Sequence, residues 1–283
     1  MRYNVGVRIA YLGPPGTFSE EAVLRCDLAR GGDPLPYPSF AEAYAALRRG
    51  EVDAALLPIE NSIEGSVGAT LDLLVHEHGP LIRRELLLPV RQHLLARAGT
   101  RLEDVKRVLS HPQPFGQCRR FLSERLPRAV LEPTHSTAEA ARQVAEGALG
   151  AAAIGSRAAA ERYALAVLAE EIQDVDENFT RFVLLSGSDE APTGDDRTSI
   201  AFTLDRDRPG GLYEVLGEFA RRGINLSKIE SRPTKQAVGH YVFFVDFEAH
   251  RLDPAGASAV EGVGALVHRL YVLGSYPRGA APA

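Results

Sequence analysis

Up to about residue 187 the chain alternates short apolar runs with segments that open on Ser or Thr, and after a polar linker that rhythm stops. A short apolar run bounded by turn residues reads as a buried strand. Ser or Thr followed within a turn by an acid reads as a capped helix start. The first such unit is the strand Arg8-Ile9-Ala10-Tyr11-Leu12, the turn Gly13-Pro14-Pro15-Gly16 and a helix opening at Thr17-Phe18-Ser19-Glu20. Ser39 to Leu47 (helix), Val52 to Leu57 (strand), Val105 to Leu109 (strand), Phe115 to Leu126 (helix) and Ser136 to Ala141 (helix) continue it. Alternation of this kind demands a largely parallel sheet with helices on its faces. The extended stretch Leu81 to Val90 and the return from Leu165 toward Asn178 predict two crossings, near residues 90 and 175. Residues 1–188 are therefore expected to form two α/β lobes around a cleft. Ser186 to Asp196 is the linker, and residues 197–276 follow the order βαββαβ, a ferredoxin-like module.

Composition narrows the chemistry. The net charge of -5 argues against a nucleic-acid partner. Lysine occurs only at Lys106, Lys228 and Lys235, so an anion site here is expected to use Arg or backbone N–H groups. Cys26 and Cys118 form no CxxC pair, no second His, Cys or carboxylate lies at metal-ligand spacing with His111, and no metal is expected. Neither a signal peptide nor an apolar run of roughly 20 residues is present, so the expectation is a cytoplasmic protein with no membrane partner.

Candidate site residues cluster where open α/β sheets place ligands, past the strand ends. Thr17 and Ser19 sit at one helix start, and Ser136 and Thr137 at another. Glu60-Asn61-Ser62 follows a buried strand, with a third helix start expected at Gly65-Ser66. Helix N-termini receive anions. Taken alone, each of these is equally an ordinary capped turn. Asn178-Phe179-Thr180-Arg181-Phe182 leads into a further buried strand, and its alternation sends Thr180 and Arg181 to opposite faces.

Six ordered motifs resemble the prephenate dehydratase family over nearly the whole chain, from Arg8 to about Tyr276. They are Gly13 to Glu20, Pro58 to Ser62, Ser110-His111-Pro112-Gln113 with Gln117-Cys118, Asn178 to Phe182, Pro209 to Tyr213, and Ile229 to Pro233. The resemblance implies a two-lobed catalytic domain similar to periplasmic binding proteins, followed by an ACT regulatory domain. It implies decarboxylative dehydration of prephenate without metal or cofactor, Thr180 being the family's key threonine. Asn178 and Glu60 join it as catalytic candidates, with Glu60 the alternative proton donor if burial raises its pKa. Thr17, Ser19, Asn61, Ser62, Gln113, Ser136, Thr137, Phe179 and Arg181 are the implied substrate contacts. In the C-terminal module L-phenylalanine is the implied effector, between subunits of a homodimer or homotetramer. Gly210, Gly211, Leu212 and Tyr213 form one half of that site. Asn225, Leu226, Glu230, Ser231 and Arg232 form the other. Gly211 departs from the alanine usual in the family. No chorismate mutase domain is expected ahead of the first strand. Two alternatives stay open: arogenate dehydratase, and a non-catalytic sensor of small anions and amino acids.

Overall fold

The computed structural model describes residues 6–27, 32–77, 79–147, 150–204, 209–234 and 240–279. Contacts divide the chain into two compact units. One holds residues 6–67 and Leu87–Phe182; the other holds Gly68–Leu86 and residues 183–279.

The first unit contains two lobes. The chain enters through β1 (Arg8–Leu12), α1 (Phe18–Arg25), β2 (Asp33–Tyr37), α2 (Phe40–Arg48), β3 (Ala54–Asn61) and β4 (Gly65–Ser66). β1 pairs in parallel with β2 on one side and β3 on the other. Ser39 caps α2 by accepting from the Glu42 N–H at 3.1 Å, and Thr17 caps α1 in the same way through Glu20. The prolines of β2, Pro34 and Pro36, suit its edge position, since an edge strand has one side without ladder partners. That strand was not foreseen. A helix start at Gly65-Ser66 is corrected too. These residues form β4, folded back on β3 by a turn over residues 62–64, and α3 (Gly68–His76) begins only afterwards.

β5 (Leu81–Pro89) leads to the second lobe. It runs through β6 (His93–Ala96), β7 (Arg107–Ser110), α4 (Pro112–Gln117), α5 (Arg119–Arg125), β8 (Val130–Pro133) and α6 (Thr137–Glu146). β9 (Ala151–Gly155), α7 (Arg157–Arg162) and β10 (Ala166–Ala169) complete it. The sheet order is β10-β6-β9-β7-β8. Leu94, Val108 and Ile154 pack on one face with Leu122, while Leu95, Leu109 and Ala153 pack on the other with Ala140 and Ala141. Successive side chains therefore enter opposite cores, as in a sheet covered on both sides. The single helix expected over Phe115 to Leu126 is two helices, broken at Cys118. Burial pushes the Cys118 thiol up to about 12. β11 (Phe179–Ser186) returns the chain to the first sheet, which has the order β2-β1-β3-β11-β5.

The second unit carries β12 (Asp196–Thr203), α8 (Gly211–Ala220), β13 (Leu226–Pro233), β14 (Tyr241–Phe247), α9 (Pro254–Leu266) and β15 (Arg269–Pro277). The sheet order β13-β14-β12-β15 with a helix after the first and third strands is the expected βαββαβ module. Ile200, Phe202, Phe219, Val245, Phe247 and Val263 form its core. At the β12–β15 bulge Gly274 takes φ 142°, and a Cβ there would meet the Ile82 amide nitrogen at 2.7 Å. Within this unit the Glu85 side chain, 1% exposed, receives Arg197 at 2.6 and 2.8 Å and the Gly279 N–H at 2.7 Å.

Asp189 receives Arg251 at 2.6 and 3.1 Å and the Ser275 N–H at 3.1 Å. Burial pushes its carboxyl up, but those donors outweigh burial and hold it below the ordinary aspartate value. A carboxyl depressed on folding stabilises the protein above its unfolded pKa, roughly 3.9, and that contribution is lost as pH falls through the lower folded value. Asp189→Asn should therefore flatten the fall of unfolding free energy below about pH 4, read from urea titrations at stepped pH. An unchanged slope there would show that Asp189 contributes nothing to acid sensitivity. No helix among the described residues is long and apolar enough to cross a membrane.

Candidate active site

A cavity of about 280 Å³ lies within the first unit, where the two lobes face each other. Leu12, Thr17, Phe18, Ser19, Asn61 and Thr180 line it from the first lobe. Gln92, His111, Gln113, Gln117, Ser136 and Thr137 are among the residues that line it from the second. The N-termini of α1 and α6 therefore meet at one space. The cap at Thr17 takes the Glu20 N–H, and the cap at Ser136 takes the Glu139 N–H at 3.0 Å. The amides before them, at residues 18–19 and 137–138, have no acceptor within their helices. Two helix dipoles and those N–H groups make the cavity anion-receptive although no Lys or Arg among the described residues lines it. A larger cavity, about 540 Å³, shares His111 and His135 with the cleft but is flanked by Glu132 and Glu139, which repel an anion.

Asn61 organises the floor. Its Oδ1 accepts from the Ile63 and Glu64 N–H groups, each at 3.0 Å. Those donors fix which end of the amide is which. Its Nδ2 must then donate, and it reaches Asn178 Oδ1 at 2.9 Å, Thr180 Oγ1 at 3.0 Å and the Phe179 carbonyl at 3.1 Å. Asn178, 0% exposed, turns its Nδ2 to Gln117 Oε1 at 3.4 Å. Because Thr180 Oγ1 accepts from Asn61, its own hydrogen is directed elsewhere.

Five sequence candidates stand outside the cavity lining. Asn178 and Phe179 lie behind Asn61 as hydrogen-bond partners. Ser62 is spent on the backbone, accepting from the Phe179 N–H at 3.0 Å and donating to the Glu177 carbonyl at 3.1 Å. Glu60 and Arg181 pair with each other at 3.7 Å. The Glu60 side chain is 38% exposed and stands outside the cavity lining. Thr17 also donates to the Leu12 carbonyl at 3.2 Å, so its hydroxyl serves the α1 cap and the turn. Val90, Gln92 and His135 were not singled out from sequence. None of them carried a signal: Gln92 sits within the polar run Arg91-Gln92-His93 between two apolar segments.

In the second unit Gly210, with φ 85°, is the N-cap of α8, and Gly211 opens the helix. Leu212 is half-buried, and Tyr213 is 80% exposed. The Asn225 main-chain carbonyl accepts from the Glu248 N–H at 3.0 Å just before β13, whose first residue is Leu226. Glu230 lies 3.3 Å from Lys228 and 3.7 Å from Arg232, Ser231 is exposed between them, and Arg232 also reaches Asp72 at 3.3 Å.

Comparison with known proteins bears on both units. The sequence model described as prephenate dehydratase matches residues 9–190, and that described as ACT domain matches residues 198–265. A prephenate dehydratase of Mycobacterium bovis is 43% identical over 97% of this chain and 88% of its own. A crystal structure of prephenate dehydratase in complex with L-Phe from Arthrobacter aurescens superposes with a TM-score of 0.90 at 41% identity, covering 96% of this chain and 90% of that one. A solved structure described as GqqA, a quorum quenching acylase, superposes with a TM-score of 0.85 at 32% identity, covering 97% and 98%.

Proposed function

The chain belongs to the prephenate dehydratase family, and from that membership we propose that its cleft converts prephenate to phenylpyruvate, CO2 and water, with L-phenylalanine as effector at the ACT module. Prephenate carries two carboxylates and a ring hydroxyl. The bond from the ring carbon to its carboxylate breaks, its electron pair enters the ring, and the C–O bond of the hydroxyl breaks at the far end. Aromatisation supplies the driving force, so the protein's task is to orient, to stabilise developing charge and to exclude water.

The α1 and α6 N-termini suit the carboxylates. Thr180 is the donor to the departing oxygen, and the observation that carries this role is the Asn61 Nδ2 to Thr180 Oγ1 hydrogen bond. A threonine is too weak an acid to give up its proton outright. It acts as a positioned donor to negative charge that grows in the transition state. Asn61 and Asn178 orient it, and Gln113 lines the same cleft. The half-buried Glu60 serves as partner to Arg181 rather than as the acid.

The test is the rise in ultraviolet absorbance of phenylpyruvate when the purified protein meets prephenate, compared with turnover of arogenate. Absence of prephenate turnover would remove the reading. The acylase relative shares the fold, and fold alone does not set chemistry. The same assay therefore also separates a dehydratase from an acylase or a sensor. The cytoplasm is the proposed compartment.

L-phenylalanine is proposed to bind between the ACT modules of a dimer or larger oligomer. The exposed ring of Tyr213 and the alternating half-exposed face of β13 support a surface that a second copy covers. Inhibition follows from product feedback, with coupling of about 1–3 kcal/mol. Asn225→Ala should raise the phenylalanine concentration for half-inhibition by about tenfold with kcat unchanged, a coupling loss inside that range. The same half-inhibition in the variant would place the effector elsewhere.

A further inference from the structure

The cleft holds a polar group whose orientation is dictated from outside and whose last atom is unspent. The Ile63 and Glu64 N–H groups point Asn61 Nδ2 at Asn178 Oδ1. Asn178 must then present Nδ2 to Gln117 Oε1. That oxygen also receives Gln92 Nε2 at 3.3 Å. Polarity thus passes through four amides, each step forced by the one before, and at its end Gln92 Oε1 must be an acceptor. Gln92 is 2% exposed and lines the cavity, and its Oε1 has no hydrogen-bond partner among the described residues. Its main chain is anchored as well, the N–H donating to Gln173 Oε1 at 2.9 Å. A buried acceptor without a donor is costly unless the ligand supplies one.

Two carboxylates and a ketone accept hydrogen bonds only, so the ring hydroxyl is the one donor on prephenate. We propose that Gln92 Oε1 accepts the hydrogen bond of that hydroxyl and turns its lone pairs toward the Thr180 donor. This rests on the prephenate reading above. It makes Gln92 a substrate-orienting residue held by a relay that starts at the β3–β4 turn.

Two variants test it, with wild-type turnover of prephenate as the reference. Gln92→Met keeps the volume and removes the acceptor. It should lower kcat/KM about tenfold, as expected for a lost hydrogen bond to a reacting group, and by the same factor for prephenate and for arogenate, which share the hydroxyl. Gln92→Glu restores the acceptor and the donor to Gln117 only while its carboxyl is protonated. Its kcat/KM relative to wild type should rise as pH falls. Should either variant unfold at assay temperature, competition in the wild type decides: 4-hydroxyphenylpyruvate should inhibit more strongly than phenylpyruvate. Wild-type kinetics in Gln92→Met would overturn the proposal while leaving the dehydratase reading intact. So would a loss confined to arogenate, which would assign the acceptor to an ammonium, or equal inhibition by the two arylpyruvates. No turnover by the wild type removes the dehydratase reading itself, and the proposal with it.

Discussion

Thr180→Ala should lower kcat for prephenate by about a hundredfold or more, the loss typical of a donor that meets charge only in the transition state. Its melting temperature should hardly move. Asn61 Nδ2 loses one acceptor in that variant but keeps Asn178 Oδ1 and the Phe179 carbonyl, so nothing buried is stranded. Thr180→Ser keeps the hydroxyl and should retain much of the turnover, its extra rotamer freedom costing some positioning. KM should stay near wild type in both variants, because the carboxylates are assigned to helix amides on other segments. Wild-type turnover in the alanine variant would take Thr180 out of the chemistry.

Gly274→Ala should destabilise the fold by about 3 kcal/mol or more, combining strain at a left-handed φ with a main-chain collision. The added methyl would press on the Ile82 backbone, and a peptide group cannot swing aside as a side chain can. Gly50→Ala is the matched control. Its φ is 72°, and nothing lies within 4 Å of a Cβ built there. It should cost only about 1 kcal/mol, the conformational part alone. Urea midpoints of the two variants separate collision from strain, and equal losses would mean that the Ile82 backbone yields freely.

Much of this architecture could be read from residues in order, because its signals are local. The Ser39 and Ser136 caps act within one turn, and the apolar runs Arg8–Leu12 and Ala151–Gly155 need no distant partner to be recognised as strands. Failures arose where tertiary context overrides local preference. Asp33–Tyr37 carries two prolines and offers no clear strand signal, yet an edge position tolerates them. Gly65-Ser66 looks like a cap followed by a helix, but pairing with Glu60 and Asn61 claims it for a hairpin. The site divides along the same line. Its helix starts were legible. The amide chain was not, since Asn61 and Asn178 lie 117 residues apart and only the closed sheet brings them together. Gln92 had no motif around it, and its meaning comes from neighbours that no spacing rule predicts.

The carboxylate of Glu85 matters most to anyone who wishes to cut or splice this protein. The linker before Asp196 invites a clean excision of the catalytic portion, or an exchange of the C-terminal module for that of a relative. Glu85 belongs to the retained segment, whereas Arg197 and Gly279, which satisfy it, belong to the discarded one. A shortened chain loses that cation and that amide from a carboxylate that is only 1% exposed, which costs stability. Chimeras should therefore be more stable when the incoming module supplies a guanidinium at the place of Arg197. A truncated enzyme intended for kinetic work should carry Glu85→Gln from the outset.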